Sequence, residues 1–213
     1  MATMKGLCML GIGEVGMVDR DIPRPGPGEA VVKTTMSLLC TSDVHTVKGL
    51  LGIPDGRLLG HESLGIVHEV GDGVTAAKVG DRVMVCAVTP DGTCAACQRG
   101  YTSQRGGGLG GYRYTAQRDG NMSEYFLVND ANFNLTPIPD SLPDEKAVYA
   151  CDMLTTGFAG AENAKIPLGG SVAIFAQGAV GLSATIGAKL LGAGLIIAVD
   201  GIPARRELAK HFG

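Results

Sequence analysis

Along the first two-thirds of the chain, short β-branched runs alternate with tight glycine-containing turns, a pattern that predicts many short strands. Strands are expected over 30–35, after the turn Pro25-Gly26-Pro27-Gly28, over 65–70, before Gly71-Asp72-Gly73, and over 82–88, after Gly80-Asp81. A further strand is expected over 123–128, where apolar and polar positions alternate around Tyr125 and Leu127. Between these runs, 102–120 holds mostly Gly, Arg, Gln and Tyr and almost no aliphatic residue, so it is expected to be a long surface loop that supplies no core. After Pro137-Ile138-Pro139-Asp140 the period changes: 143–160 carries helical spacing, 171–175 reads as a buried strand, 180–191 as a helix and 195–199 as a second buried strand. Strand, helix and strand in so short a span form a βαβ unit with parallel strands. The fold class is therefore α/β, with a β-rich domain over 1–150 and a linking helix plus βαβ segment over 151–213.

The junction between the first of those strands and its helix carries Ala176-Gln177-Gly178-Ala179-Val180-Gly181. This matches G-x-G-x-x-G at its second and third glycines, with alanine at the first. Gly178 lets the backbone approach a pyrophosphate, Gly181 lets the helix pack close to the strand, and the amides around Ala179 and Val180 at the helix start can hold phosphate oxygens. Asp200 closes the next strand nineteen residues after Gly181, where a carboxylate can accept hydrogen bonds from ribose hydroxyls. A carboxylate there repels a 2'-phosphate, so NAD is expected over NADP; Arg205 and Arg206, just beyond, could soften that discrimination. The blander alternative is that these glycines only make turns and that Asp200 is a solvated loop acid.

Composition narrows the classes. The chain has 213 residues, 45% of them apolar, enough for a sizeable core. Its net charge of -3 and scattered basic residues exclude a phosphate-tracking surface, so no nucleic-acid partner is expected. No apolar run is long enough to span a bilayer, and the start lacks the features of an export signal, so a soluble cytoplasmic protein with no membrane partner is expected. Six cysteines in such a chain suggest thiols and metal ligands rather than a disulfide framework.

Three clusters offer zinc donors: Cys40-Thr41-Ser42-Asp43-Val44-His45, Gly60-His61-Glu62 and Cys151-Asp152. Thiolate, imidazole and carboxylate all suit zinc, and a catalytic ion needs three protein ligands with one position open. Each cluster alone is ordinary, since a lone cysteine is more often a small buried hydrophobe. Upstream of a dinucleotide motif the three together carry more weight.

The run Gly60-His61-Glu62-Ser63-Leu64-Gly65-Ile66-Val67, continued by Glu69-Val70-Gly71 and Val79-Gly80-Asp81-Arg82-Val83, resembles the zinc-dependent medium-chain dehydrogenases. More narrowly, Cys40-Thr41-Ser42-Asp43-Val44-His45-Thr46, Asn129-Asp130-Ala131 and Asp152-Met153-Leu154-Thr155-Thr156-Gly157-Phe158 resemble the microbial secondary-alcohol dehydrogenases. The resemblance implies a GroES-like catalytic domain followed by the first part of a Rossmann-type doubly wound sheet. It implies that Cys40, His61 and Asp152 hold one catalytic zinc with Glu62 close by, and that Ser42 and His45 relay the substrate's proton. In many members the third ligand is a cysteine, which leaves Cys151 as a competitor to Asp152. The implied reaction moves a hydride between a small alcohol or ketone and NAD, and complete members are oligomers, so self-association is open.

Two departures from the family pattern stand out. Cys94 and Cys97 have the spacing of a structural zinc lobe, but Gly100 occupies the next step, and two ligands do not close such a site, so one zinc per chain is expected. A doubly wound domain needs about six parallel strands, and the pattern up to Gly213 supplies two, so these two are expected to expose apolar faces and an unpaired edge, and the chain to be a fragment with little or no dehydrogenase activity of its own. The rival readings are a non-catalytic zinc-binding GroES-like remnant and a zinc-free oxidoreductase of the quinone reductase type.

Overall fold

The computed structural model describes residues 2–104 and 110–213, which form two compact units, 1–151 and 152–213. The first begins with an antiparallel hairpin of β1 (Thr3–Gly11) and β2 (Glu14–Asp21), which the apolar pattern does not announce. Its sheet joins β3 (Ala30–Leu38), β4 (Glu62–Val70), β5 (Arg82–Val85), β6 (Tyr125–Val128) and β7 (Leu135–Pro137) in the order β6-β3-β4-β5-β7. Each pairing in this sheet is antiparallel, so alternate side chains share a face. Ala30, Val32, Val67, Val83, Val85, Phe126 and Val128 fill one core cluster. Fully burying each of the larger side chains stabilises the unit by roughly 1.5–3 kcal/mol.

Short helices α1 (Thr41–Val47), α2 (Ala95–Gln98) and α3 (Ala131–Asn134) lie between these strands, and α4 (Asp144–Ala147) follows β7. The pairing of β3 with β4 shifts register between Val31 and Val32 and again between Thr34 and Met36, bending the ladder before it ends at Leu38 opposite Glu62. That end carries the site.

The expected surface loop over 102–120 is corrected by the structure. Tyr114 is fully buried in the main core cluster, donates its hydroxyl to Leu127 O at 3.1 Å and packs edge-on against Phe126. The Arg118 guanidinium lies 4.3 Å from the centre of the same ring. One large aromatic ring supplies what a run of aliphatics would, so counting aliphatic residues understates this segment. Residues 105–109 of that expectation lie outside the described residues.

The helical spacing of 143–160 resolves into α4, a 3-10 turn over Val148–Cys151, and α5 (Met153–Asn163). Asp152 stands between them with φ -149° and ψ -65°, a conformation that ends one helical segment before the next begins. Cys151 faces the core, fully buried beside Leu64, Ile138, Ala147 and Val148.

In the second unit β8 (Ser171–Phe175), α6 (Ala179–Leu190) and β9 (Leu195–Val199) form the expected parallel βαβ unit, followed by α7 (Pro203–Phe212). α5 packs against α6 through small residues: a Cβ on Gly157 would sit 2.4 Å from Ser183 Cβ, and one on Gly187 would meet Ala161. Both strands begin and end at the expected residues, and although each run by itself reads as a buried strand, the pair exposes apolar side chains as expected of two strands alone. Phe175 is 75% exposed, Leu195 54% and Ile197 48%, because a two-stranded sheet has too few neighbours within its own unit to cover both faces.

Candidate metal and active site

Cys40 occupies the position that opens α1, and Asp43 in the first turn reaches back so that its Oδ2 accepts from Cys40 N at 3.0 Å. Asp43 Oδ1 accepts from Gly60 N at 3.0 Å and lies 3.5 Å from His61 Nδ1. One carboxylate, only 2% exposed, thus ties the start of α1 to the residue before the histidine and to the imidazole itself.

Gly60 makes that approach possible. Its φ is +92°, and a Cβ there would lie 2.7 Å from Met122 N, so the backbone can pass only without a side chain. Asn121 N donates to Gly60 O at 3.0 Å and Met122 N to Leu59 O at 2.9 Å, which fixes the peptide that presents His61.

His61 is 1% exposed and Glu62 fully buried. The two sides of the imidazole differ. Asp43 and the Tyr112 hydroxyl, the latter at 3.1 Å, sit beside Nδ1, so a proton there has acceptors and the Nε2 lone pair remains available. Beside Nε2 lie Ser42 Oγ at 3.3 Å and Glu62 Oε1 at 3.8 Å. Cys40, His61 and Glu62 each offer a ligand atom, and these atoms lie within 4.8 Å of one another. A thiol and two carboxyl groups around one imidazole, with His61, Glu62 and Asp43 buried and Cys40 partly so, offer the donor types that a divalent cation such as zinc takes. The carboxylate behind the ring is the arrangement that orients a metal-bound histidine.

The structure therefore gathers Cys40, Ser42, His61 and Glu62 at one end of the β3–β4 ladder. His45 lies one turn after Ser42 on α1 and is exposed. Asp152 opens the second unit, where its Oδ1 accepts from Thr156 Oγ1 at 2.5 Å and its carbonyl from Thr156 N at 2.8 Å. The residue before it is anchored in the first unit: Ala87 N donates to Cys151 O at 2.8 Å, and the Cys151 thiol to Ser63 O at 3.5 Å. That thiol is fully buried and donates inward.

Two contributors escaped the sequence reading. Asp43 reads as an ordinary first-turn acid, and its one signal was its place three residues after a candidate ligand. Tyr112 was assigned to a coreless loop. Burial pushes its phenol above the ordinary value, while the neighbouring His61 pulls it down.

In the second unit the dinucleotide motif sits at the start of α6. Gly178 has open space where a Cβ would be, whereas a Cβ on Gly181 would lie 1.8 Å from Ala176 O, so the helix can begin here only with glycine at that position. Ala176, at the place of the first glycine, adopts φ +69°. Asp200 Oδ2 accepts from Gln177 N at 2.6 Å and Oδ1 from Ile202 N at 2.8 Å. The Ile202 and Gln177 amides hold its carboxyl below the usual range.

Residues 26–140 match the alcohol dehydrogenase GroES-like domain. The chain is 48% identical over 211 residues to the NADP-dependent isopropanol dehydrogenase of Thermoanaerobacter brockii, covering 99% of this chain and 60% of that protein. In fold it is similar to the alcohol dehydrogenase TADH from Thermus sp. ATN1, with a TM-score of 0.91 at 33% identity, covering 99% of this chain and 62% of that one. It is equally similar to the apo form of the zinc-dependent alcohol dehydrogenase 2 of Streptococcus pneumonia, with a TM-score of 0.90 at 34% identity, covering 99% of this chain and 59% of the other. The chain thus spans about 60% of the length of the relatives it matches. With a family match over more than half its residues, including the segment that carries Cys40, His61 and Glu62, this chain belongs to the alcohol dehydrogenases with a GroES-like domain.

Proposed function

We propose that this chain carries the metal centre and the start of the cofactor site of an oxidoreductase that moves a hydride between a small secondary alcohol or its ketone and NAD, using one zinc ion. The observation that carries this reading is the convergence of Cys40, His61 and Glu62 donor atoms within 4.8 Å, with a buried carboxylate behind the imidazole. When bound, zinc supplies a Lewis acid for the alcohol or carbonyl oxygen, and the nicotinamide supplies the hydride carrier.

Cys40 and His61 serve as ligands and Asp152 as the third, with Glu62 able to join them. Asp152 is favoured because it directly follows Cys151, whose carbonyl accepts from Ala87 N and whose thiol donates to Ser63 O, both in the first unit. Asp43 holds the tautomer that turns His61 Nε2 outward. Ser42 Oγ, on the Nε2 side of the ring, takes the proton of the substrate hydroxyl, and His45, exposed one turn later, passes it towards solvent.

For the cofactor, the backbone of Gly178, Ala179, Val180 and Gly181 offers amides to the pyrophosphate, and Gly178 leaves the space that this approach needs. Asp200 faces the adenosine ribose: each of its oxygens accepts one amide and keeps a lone pair for a hydroxyl. A carboxylate there disfavours a 2'-phosphate, so NAD is the proposed cofactor although several relatives are named NADP-dependent. Arg205 Nη1, 3.8 Å from Asp200 Oδ2, reduces that preference. Among the described residues no helix is long and apolar enough to cross a membrane.

Elemental analysis of the purified chain, with Cys40→Ala and His61→Ala beside it, tests the reading. One zinc per chain is expected, lost in both variants while circular dichroism is unchanged. Zinc retained in both variants, or absent from the parent after incubation with zinc salt, would refute it and favour the zinc-free type of oxidoreductase.

A further inference from the structure

A second group of reactive side chains lies on the turn into α2. Cys94 and Cys97 are both thiols, with their sulfurs 3.3 Å apart, and Cys97 N donates to Cys94 Sγ at 3.5 Å. Cys94 stands at the start of the helical turn and Cys97 three residues later, so both side chains lie on the same side of it. Cys94 is partly accessible and Cys97 is 9% exposed. Asp91 Oδ1 accepts from Thr93 N at 2.9 Å, from Cys94 N at 3.0 Å and from the Cys97 thiol at 3.6 Å.

Asp91, Cys94 and Cys97 place three donor atoms within 4.8 Å, which a metal could use. The hydrogen-bond pattern favours another use. The carboxylate oxygen is already engaged by two amides and a thiol, and the two sulfurs are unequal: one reachable and supported by an amide, the other sheltered with a base beside it.

We propose that Cys94 and Cys97 form a thiol–disulfide exchange site that takes a low-molecular-weight disulfide, with Cys94 as the attacking thiol and Cys97 as the resolving one. The Cys94 thiolate attacks one sulfur of the incoming disulfide, the old S–S bond breaks, and one thiolate leaves and takes up a proton. Cys97 then gives its proton to the Asp91 carboxylate, its sulfur attacks Cys94 Sγ, and the second small thiol departs. In sum the cysteine pair loses two electrons and two protons to one small disulfide, which becomes two thiols. Closing the bond to about 2.05 Å requires a short movement from 3.3 Å. The hydrogen bond from the Cys97 amide lowers the Cys94 thiol from its ordinary value, and burial raises that of Cys97, a division that matches the two roles.

Oxidised glutathione is the probe. The reduced chain is incubated with it, quenched by alkylation under denaturing conditions, and read by intact mass and peptide mapping. The parent should lose two hydrogens and yield a Cys94–Cys97 linked peptide with no lasting adduct. Cys97→Ser should stop with one glutathione on Cys94, and Cys94→Ser should form neither link nor adduct at this turn. Asp91→Asn keeps both thiols and should resolve more slowly, so the Cys94 adduct accumulates. An adduct in Cys97→Ser on the exposed Cys86 with Cys94 still reduced would overturn the proposal. So would a metal ion, found by elemental analysis in Cys40→Ala, that shields both thiols from glutathione.

Discussion

Asp43 is a single carboxylate on which three separate pieces of the site converge, the Cys40 amide, the Gly60 amide and the His61 ring. Asp43→Asn keeps the shape but loses the charge behind the imidazole, and zinc affinity should fall by about 10–100-fold, read by competition with a chromogenic chelator. Unchanged affinity would show that Asp43 only caps α1. Ala176 presents the opposite situation, a side chain where the backbone favours none. At φ +69° alanine is strained, so Ala176→Gly should raise the unfolding free energy of the second unit by up to about 1 kcal/mol, net of glycine's greater freedom when unfolded, as measured by urea denaturation. At this scale the sequence was legible where residue type is rare and chemistry specific: a thiol, an imidazole and neighbouring carboxylates. Asp43 and Tyr112 were hidden because their roles depend on where the backbone turns, and an acid in a first helical turn or a tyrosine among glycines has commoner uses.

Among elements, the turn at Gly60 and the segment around Tyr114 matter most. Gly60→Ala requires a left-handed backbone and a clash with Met122 N, so it should destabilise the first unit by about 2 kcal/mol or more and displace His61; thermal melts and zinc content should fall together. Tyr114 makes a pH prediction. Burial pushes its phenol up to about 12, whereas an unfolded tyrosine ionises near 10. The stability due to the buried neutral ring is complete below about pH 10 and drains away as pH climbs towards 12, since the unfolded chain ionises first. Tyr114→Phe should flatten that alkaline decline while costing about 1 kcal/mol at neutral pH through the lost bond to Leu127 O. A decline as steep in the variant would assign it elsewhere. The strands of the second unit were legible to the residue because each apolar run is bounded by glycine. The 102–120 segment was not, because its core contribution rests on one ring, and the hairpin of β1 and β2 lacked a clear alternation: β2 has no fully buried position.

For the molecule as a whole, cofactor preference gives the sharpest test, since the isopropanol dehydrogenases it is similar to are named NADP-dependent and Asp200 favours the proposed NAD. Calorimetric titration of the chain with each dinucleotide should show NAD bound more tightly, and Asp200→Gly should shift the ratio towards NADP by about tenfold or more, a difference of about 1.4 kcal/mol. Equal affinities in the parent would defeat that assignment. The α/β class was readable from the change of period after residue 137. The exposure of β8 and β9 was readable only from the count of two strands, because an apolar strand sequence describes the environment a strand suits and not the neighbours it has.

The shared carboxylate of Asp43 also bears on how an ion would be acquired. Hydrogen bonds and an ion pair to protein groups hold the Cys40 backbone and the His61 ring in register, so their placement should not depend on an ion. Unlike a zinc finger, whose chain collapses only around the ion, this unit should survive chelation with its far-ultraviolet spectrum intact and recharge without refolding, behaving as a socket rather than a clasp.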